Sequence, residues 1–365
     1  MKLRRISTQY AQPGMVLSMD VHDHYGNVLL AQGTRLTIDN VATLGHMGGG
    51  EMSFEDRRVD DIPVTPLIPA RLEGDAARKL HALLDEADAI IKSNTDGRNI
   101  NMNPAQKAIF SMVEQLFPVV IGEANATGCF SLKDYNCVHP VQVTSLSLLM
   151  GRRVRYNEAE LTDLGVAALL QNIGYVALPQ GMMDEPTSLT AIETHEVHQH
   201  AQYGYQILNE YATIAPQIIK TILEHHERWD GSGSPRGLKG NDISPHARIL
   251  AITDTYYALV SRRPHRQSYL PHEAIEFIMA YSGELFDPEL ARLFTKLVPL
   301  YPTGVMVNLN TGEMGIISDA KPGFIGRPVV RICYDKHLKE LTKPHDMDLT
   351  ESEHQHRLVT NVVEY

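Results

Sequence analysis

The spacing of apolar positions changes as the chain proceeds. From Met15 to Val21 they partly alternate, His24-Tyr25-Gly26-Asn27 interrupts, and Val28-Leu29-Leu30 resumes, which predicts a strand-turn-strand unit. Gly48-Gly49-Gly50 and Ile62-Pro63-Val64-Thr65-Pro66 then break the periodicity, so residues 1–65 read as a small β-rich N-terminal domain. Leu80, Leu83, Leu84, Ala87, Ile90 and Ile91 share one helical face, and Ile109, Met112, Val113 and Leu116 form a second stripe after Asn103-Pro104. Residues 66–125 are accordingly expected to be a helical linker.

From 126 to 300 the pattern is helical, with helices expected near 137–152, 158–172, 190–210, 214–228, 243–261 and 286–298. Residues 301–365 return to strands. Val305–Leu309 and Met314–Ile317 flank Asn310-Thr311-Gly312-Glu313 as a hairpin, and Arg327–Ile332 reads as a further strand. The expected fold is mainly α, a helical bundle between a small β-rich N-terminal domain and a short C-terminal β extension.

A length of 365 residues exceeds what one hydrophobic core usually supports. Hydrophobic residues at 43% and charged residues at 21% are ordinary soluble usage, which excludes disordered and fibrous classes. The basic start lacks the apolar run of a signal peptide, and no stretch reaches the ~20 apolar residues of a membrane span. A cytoplasmic location is expected. Cys129, Cys137 and Cys333 have neither metal-type spacing nor an even count, and read as buried thiols. A net charge of −11 argues against a nucleic-acid polymer or an anionic membrane as partner, yet leaves room for a local basic pocket holding a small phosphate ligand.

Chemistry concentrates in Glu224-His225-His226-Glu227-Arg228-Trp229-Asp230-Gly231-Ser232-Gly233-Ser234-Pro235, where two adjacent histidines near a helix end run into a glycine-rich turn. Neutral imidazole suits zinc, iron, nickel and related ions, but a lone His-His pair also reads as surface or capping histidines. Further ligand types at helical positions, His139, His200 and Asp254, change that balance. Bundle metalloenzymes assemble such sites from residues far apart in sequence.

The block HHERWDGSGSPRGLKGNDISPHARILAITDTYYALVSRRPHR resembles the signature of the HD-GYP family of cyclic-di-GMP phosphodiesterases. The likeness extends upstream through His139, LLQNIGYVALP at 169–179 and HAQYGYQIL at 200–208, and downstream to Gly283–Pro288, covering about residues 126–300. The resemblance implies that the helical bundle is of HD type and that His139, His200, His225, His226 and Asp254 match metal ligands. It also implies that Arg263 and Arg266 match positions holding the anionic ligand, a role suited to arginine. His200 is preferred to His195 or His198 because Gly204 follows at the family spacing.

The defining HD dyad is replaced by Gln171 and Asn172, a neutral amide for an imidazole ligand and another for the bridging carboxylate. Two dications about 3.5–4 Å apart need that carboxylate to offset their repulsion. Tyr175 stands where the family has a phosphate-facing lysine, Ser234 replaces the tyrosine of GYP, Tyr135 occupies a carboxylate position of trinuclear members, and Tyr257 replaces a common acidic residue.

The expectation is a degenerate HD-GYP protein that binds cyclic-di-GMP or a related cyclic dinucleotide with little or no hydrolysis. It carries at most one divalent transition metal, Fe, Mn, Zn or Ni, without a second. Signalling proteins such as diguanylate cyclases are candidate partners, and a homodimer fits the apolar stripes of the linker helices. The alternatives are an active phosphodiesterase with an atypical metal centre, an HD-superfamily hydrolase of another phosphorylated substrate, and histidines retained as metal-free core residues.

Overall fold

In the computed structural model the described residues are 4–22, 27–46, 51–59, 61–62, 68–93, 99–116, 129–130, 135–178, 196–197, 199–261, 269–321, 324 and 326–363. They group into two compact units, one of residues 71–119 and 134–294, the other of residues 1–70, 120–133 and 295–365.

The second of these units is largely strands. β1 (Arg4–Ser7) pairs antiparallel with β4 (Glu51–Phe54), and β2 (Val21–His22) lies between β3 (Val28–Leu30) and β5 (Cys129–Phe130). A short helix α1 (Ile38–His46) intervenes. Where an alternating strand is expected from Met15, Val16 and Leu17 make only isolated bridges, to Arg35 and Phe54. The C-terminal hairpin forms as expected: β6 (Met306–Leu309) pairs with β7 (Met314–Asp319), followed by β8 (Val329–Tyr334), β9 (Glu340–Asp348) and β10 (Val359–Val362) in an antiparallel sheet of order β10-β6-β7-β8-β9. Val59 and Ile62 share a core with Met306, Met314, Ile316 and Cys333, and Arg331 bonds both Asp61 and Asp346. The two chain ends thus build one hydrophobic cluster.

The helical unit begins with α2 (Ala70–Ser93) and α3 (Asn103–Leu116), whose stripe Ile109, Met112, Val113 and Leu116 is buried. α4 (Tyr135–Arg153) follows, then α5 (Glu158–Leu170), started by the reciprocal Asn157–Glu160 capping box. α5 is apolar on nearly every face and buried from Leu164 to Leu170, which makes it a central helix rather than a surface one. A 3-10 helix (Ile173–Ala177) leads on to α6 (His200–Tyr211). α7 (Pro216–Glu224) and α8 (Pro245–Val260) each start with proline at the first helical position, where the missing N–H costs nothing. α9 (Pro271–Ala280) has no counterpart in the sequence expectation, and α10 (Pro288–Leu297) ends the series. α7 stops at Glu224, short of the expected 228, because the glycine-rich loop begins there. No helix among the described residues is long and apolar enough to cross a membrane.

Candidate metal centre

Helix termini and helix interiors of one unit supply the candidate ligands. His139 and Asp254 are interior residues of α4 and α8, which Ser147 and Thr253 also join through a buried hydrogen bond of 2.8 Å. Gln171 caps α5, His200 opens α6, and His225 caps α7, with His226 next to it.

Two clusters result. In the first, His200 Nε2 lies 3.3 Å from Nε2 of His225 and 3.3 Å from Nε2 of His226, and one ligand atom from each of the three falls within 4.8 Å of the others. The opposite ring nitrogens are tied to backbone: His200 Nδ1 is 2.7 Å from the Val197 carbonyl and His225 Nδ1 is 2.6 Å from that of Ile222. A carbonyl only accepts, so each Nδ1 carries the proton and each Nε2 presents a bare lone pair, the arrangement typical of metal-bound histidine. Bare lone pairs repel. A tetrahedral centre with metal–nitrogen bonds of about 2.1 Å separates its ligands by about 3.4 Å, close to the spacing found. The trio therefore fits a metal ion.

Burial pushes His225, and more strongly His226, below the usual imidazole value; His225 and His200 add to the effect on His226, while Asp254 opposes it. Low proton affinity keeps both rings neutral and available as ligands at neutral pH.

The second cluster is differently constituted. His139 Nε2 donates to Asp254 Oδ1 over 2.7 Å, and Gln171 Nε2 donates to the same oxygen over 3.2 Å. Burial raises the Asp254 pKa, but the bond and charge of His139, with His226 and His225, more than offset it and hold the carboxylate well below its usual range. Gln171 Oε1 is buried without a hydrogen-bond partner, and Asn172, also buried, accepts from Tyr175 N through its carbonyl over 3.0 Å. An amide is a weak neutral ligand and supplies no charge to a dication. This half does not fit a second metal beside the first.

The tight packing around His200 has a local cause. Gly174, in the 3-10 helix, lies where a β-carbon would stand 1.9 Å from the His200 carbonyl oxygen, and the Tyr175 ring is 4.4 Å from the His200 ring.

Two residues without an assigned role in the sequence reading prove central to the loop. Glu227 is buried and accepts from Arg236 N at 2.8 Å and Leu238 N at 2.9 Å. Glu224, also buried, accepts from Ser244 N at 2.8 Å and pairs with the Arg236 guanidinium. Glu224 and Glu227 flank the histidine pair three residues apart, so they clamp the loop onto the helix end that carries His225 and His226. Gly233 permits this, since a β-carbon there would stand 2.3 Å from Arg228 N. Arg263 and Arg266 lie outside the described residues.

Two segments of the chain match known protein domains. Residues 113–290 match the HD domain model, and residues 306–356 match a KOW domain associated with HD domains. Over 206 residues the chain is 32% identical to a cyclic di-GMP phosphodiesterase of Pseudomonas aeruginosa, covering 56% of this chain and 50% of that protein. It is 37% identical over 160 residues to a cyclic di-GMP phosphodiesterase of Thermotoga maritima, covering 44% of each. A 3'3'-cGAMP-specific phosphodiesterase of Vibrio cholerae is 36% identical over 137 residues, covering 37% of this chain and 26% of that protein. The matches span half or less of these relatives. On its HD-domain match and its likeness to cyclic di-GMP phosphodiesterases, the chain carries an HD domain of the HD-GYP family over residues 113–290.

Proposed function

We propose that this chain is a degenerate HD-GYP protein of cyclic-di-GMP signalling that holds one divalent transition metal on His200, His225 and His226, binds a cyclic dinucleotide, and hydrolyses it little or not at all. The observation that carries this reading is the contrast between the two clusters. His200 Nε2 stands 3.3 Å from Nε2 of both His225 and His226, whereas the other candidate ligands are engaged with one another through Asp254 Oδ1. A metal at the trio supplies Lewis-acid polarisation of a phosphoryl oxygen. Hydrolysis further requires a hydroxide held in line with the leaving oxygen, and Gln171 and Asn172 lack the charge to hold a second cation that would generate and orient it.

Relatives that act on cyclic di-GMP and on cGAMP support a cyclic dinucleotide as ligand class. Arg263 and Arg266 belong to the proposal as anion-holding residues, His139 and Asp254 as the remnant of the second metal position, and diguanylate cyclases and a second copy of the chain as protein partners in the cytoplasm. Elemental analysis of the purified protein, paired with a cyclic-di-GMP hydrolysis assay, tests it. One metal per chain with no turnover is expected; two tightly held metals, or robust turnover, sinks it.

A second reading, hydrolysis at a single atypical metal, is favoured by the same trio, whose neutral rings are ready for a Lewis acid. Its signature is wild-type turnover abolished by His226→Ala.

A further inference from the structure

Arg228 directly follows the histidine pair and the loop-clamping Glu227, and the backbone after it is tied down. The next two residues are zipped to the segment before α10, Trp229 N donating to Leu285 O at 3.1 Å and Asp230 N to Glu284 O at 2.8 Å. Its guanidinium carbon lies 5.9 Å from the ring centre of Phe286, itself buried. Nη1 is shielded from solvent and has no hydrogen-bond partner.

A shielded guanidinium ordinarily has a carboxylate beside it, because an uncompensated charge away from water is costly. Here the carboxylates whose charge reaches Arg228 are Asp254, Asp230 and Glu227. None of them pairs with Nη1, and each takes other donors. Asp254 Oδ1 takes His139 and Gln171, Asp230 Oδ1 takes Ser232 N at 2.9 Å, and both oxygens of Glu227 take loop amides. Other guanidiniums nearby in sequence do have ion pairs, Arg236 with Glu224 and Arg248 with Asp287. Arg228 has none among the described residues.

We infer that Arg228 is an anion-binding residue beside the histidine trio, its guanidinium accepting the phosphate group of a bound ligand. The planar fork of arginine matches phosphate oxygens, and a donor whose pairing is withheld by its neighbours is preorganised for one. Tyr175, whose ring leans against that of His200 at 45°, brings no competing cation. That the phosphate is a nucleotide's rests on the reading above; the anion site itself does not.

The test uses the full chain with Arg228→Met, which keeps an apolar stem against Phe286, and Arg228→Lys, which keeps the charge without the fork. Inorganic phosphate, compared with chloride at matched ionic strength, should raise the melting temperature of the wild type and leave Arg228→Met unmoved, at equal metal content by elemental analysis. Calorimetry with cyclic-di-GMP should show affinity lowered about tenfold or more in Arg228→Met and by less in Arg228→Lys. Phosphate without effect on the wild type, or with equal effect on Arg228→Met, overturns the inference. If Arg228→Met does not fold, the wild-type response and its weakening in Arg228→Lys decide, and an unweakened response overturns it. A phosphate response lost in Arg228→Met, with no cyclic dinucleotide bound by the wild type, supports the anion site and removes the nucleotide reading instead.

Discussion

Gly174 and the His200 carbonyl are in backbone contact: a β-carbon on the glycine would lie 1.9 Å from that oxygen and 2.6 Å from Gly204 N. The atoms in the way are main chain, which no rotamer change can move. Gly174→Ala should therefore push the 3-10 helix off the start of α6 and carry His200 away from His225 and His226. Overpacking of this kind costs about 1–3 kcal/mol or more. Urea unfolding should show the loss, and metal content should fall with it; a stable variant with full metal would mean that the two backbones part without disturbing His200.

The loop clamp gives a second expectation. Replacing Glu227 with Gln leaves one carbonyl oxygen for two N–H donors and sets an NH2 group against the other. A buried donor left unsatisfied costs about 1–3 kcal/mol. The predicted outcome is a drop of that size in unfolding free energy, with faster hydrogen exchange at the Arg236 or Leu238 amide. Exchange accelerated instead at α5, remote from the clamp, would contradict a local role.

How much of this was legible in the sequence depends on the range over which the information acts. The helices α2 and α3 follow from apolar stripes within single segments, α5 and α8 from sustained helical pattern, and the histidine trio from its resemblance to the HD-GYP motif. α9 escaped because only Ala274, Ile275 and Ile278 are buried in its ten residues and Leu270-Pro271 reads as a turn. The proton positions that leave bare Nε2 lone pairs on His200 and His225 depend on the carbonyls of Val197 and Ile222, which no side-chain pattern reports. The same holds for Arg331 and Asp61, joined across 270 residues of sequence. Glu224 and Glu227 left a usable signal, two glutamates flanking the histidine pair at helical spacing before a glycine-rich loop.

The two clusters should respond oppositely to alanine. His225→Ala removes one of three converging nitrogens, so metal content should fall to background on elemental analysis. His139→Ala leaves the trio intact and should keep the metal. Its cost appears in stability, because the buried Asp254 carboxylate loses a 2.7 Å hydrogen bond, and leaving such a group short of a partner costs about 1–3 kcal/mol or more. Metal retained in the first variant, or lost from a folded second, would relocate the centre.

Restoring the dyad is the sternest trial of the proposed loss of hydrolysis. Wild-type protein should show little or no cyclic-di-GMP turnover even with excess manganese or ferrous iron, since one cation at the trio leaves the attacking hydroxide without its second anchor. Gln171→His returns an imidazole beside Asp254 Oδ1, and Asn172→Asp returns an anion next to it in the chain. The double variant should therefore raise metal content from one to two ions per chain. The new histidine takes over a position where the amide now leaves Oε1 unbonded, so no existing bond to that oxygen is lost. Turnover should stay low while Tyr175, packed on His200, stands where the resemblance puts a phosphate-facing lysine, and rise only when Tyr175→Lys is added. A double variant that gains a metal but leaves the triple variant inactive would show that the dyad alone does not account for the missing activity. Turnover by the unmodified chain would remove the premise altogether.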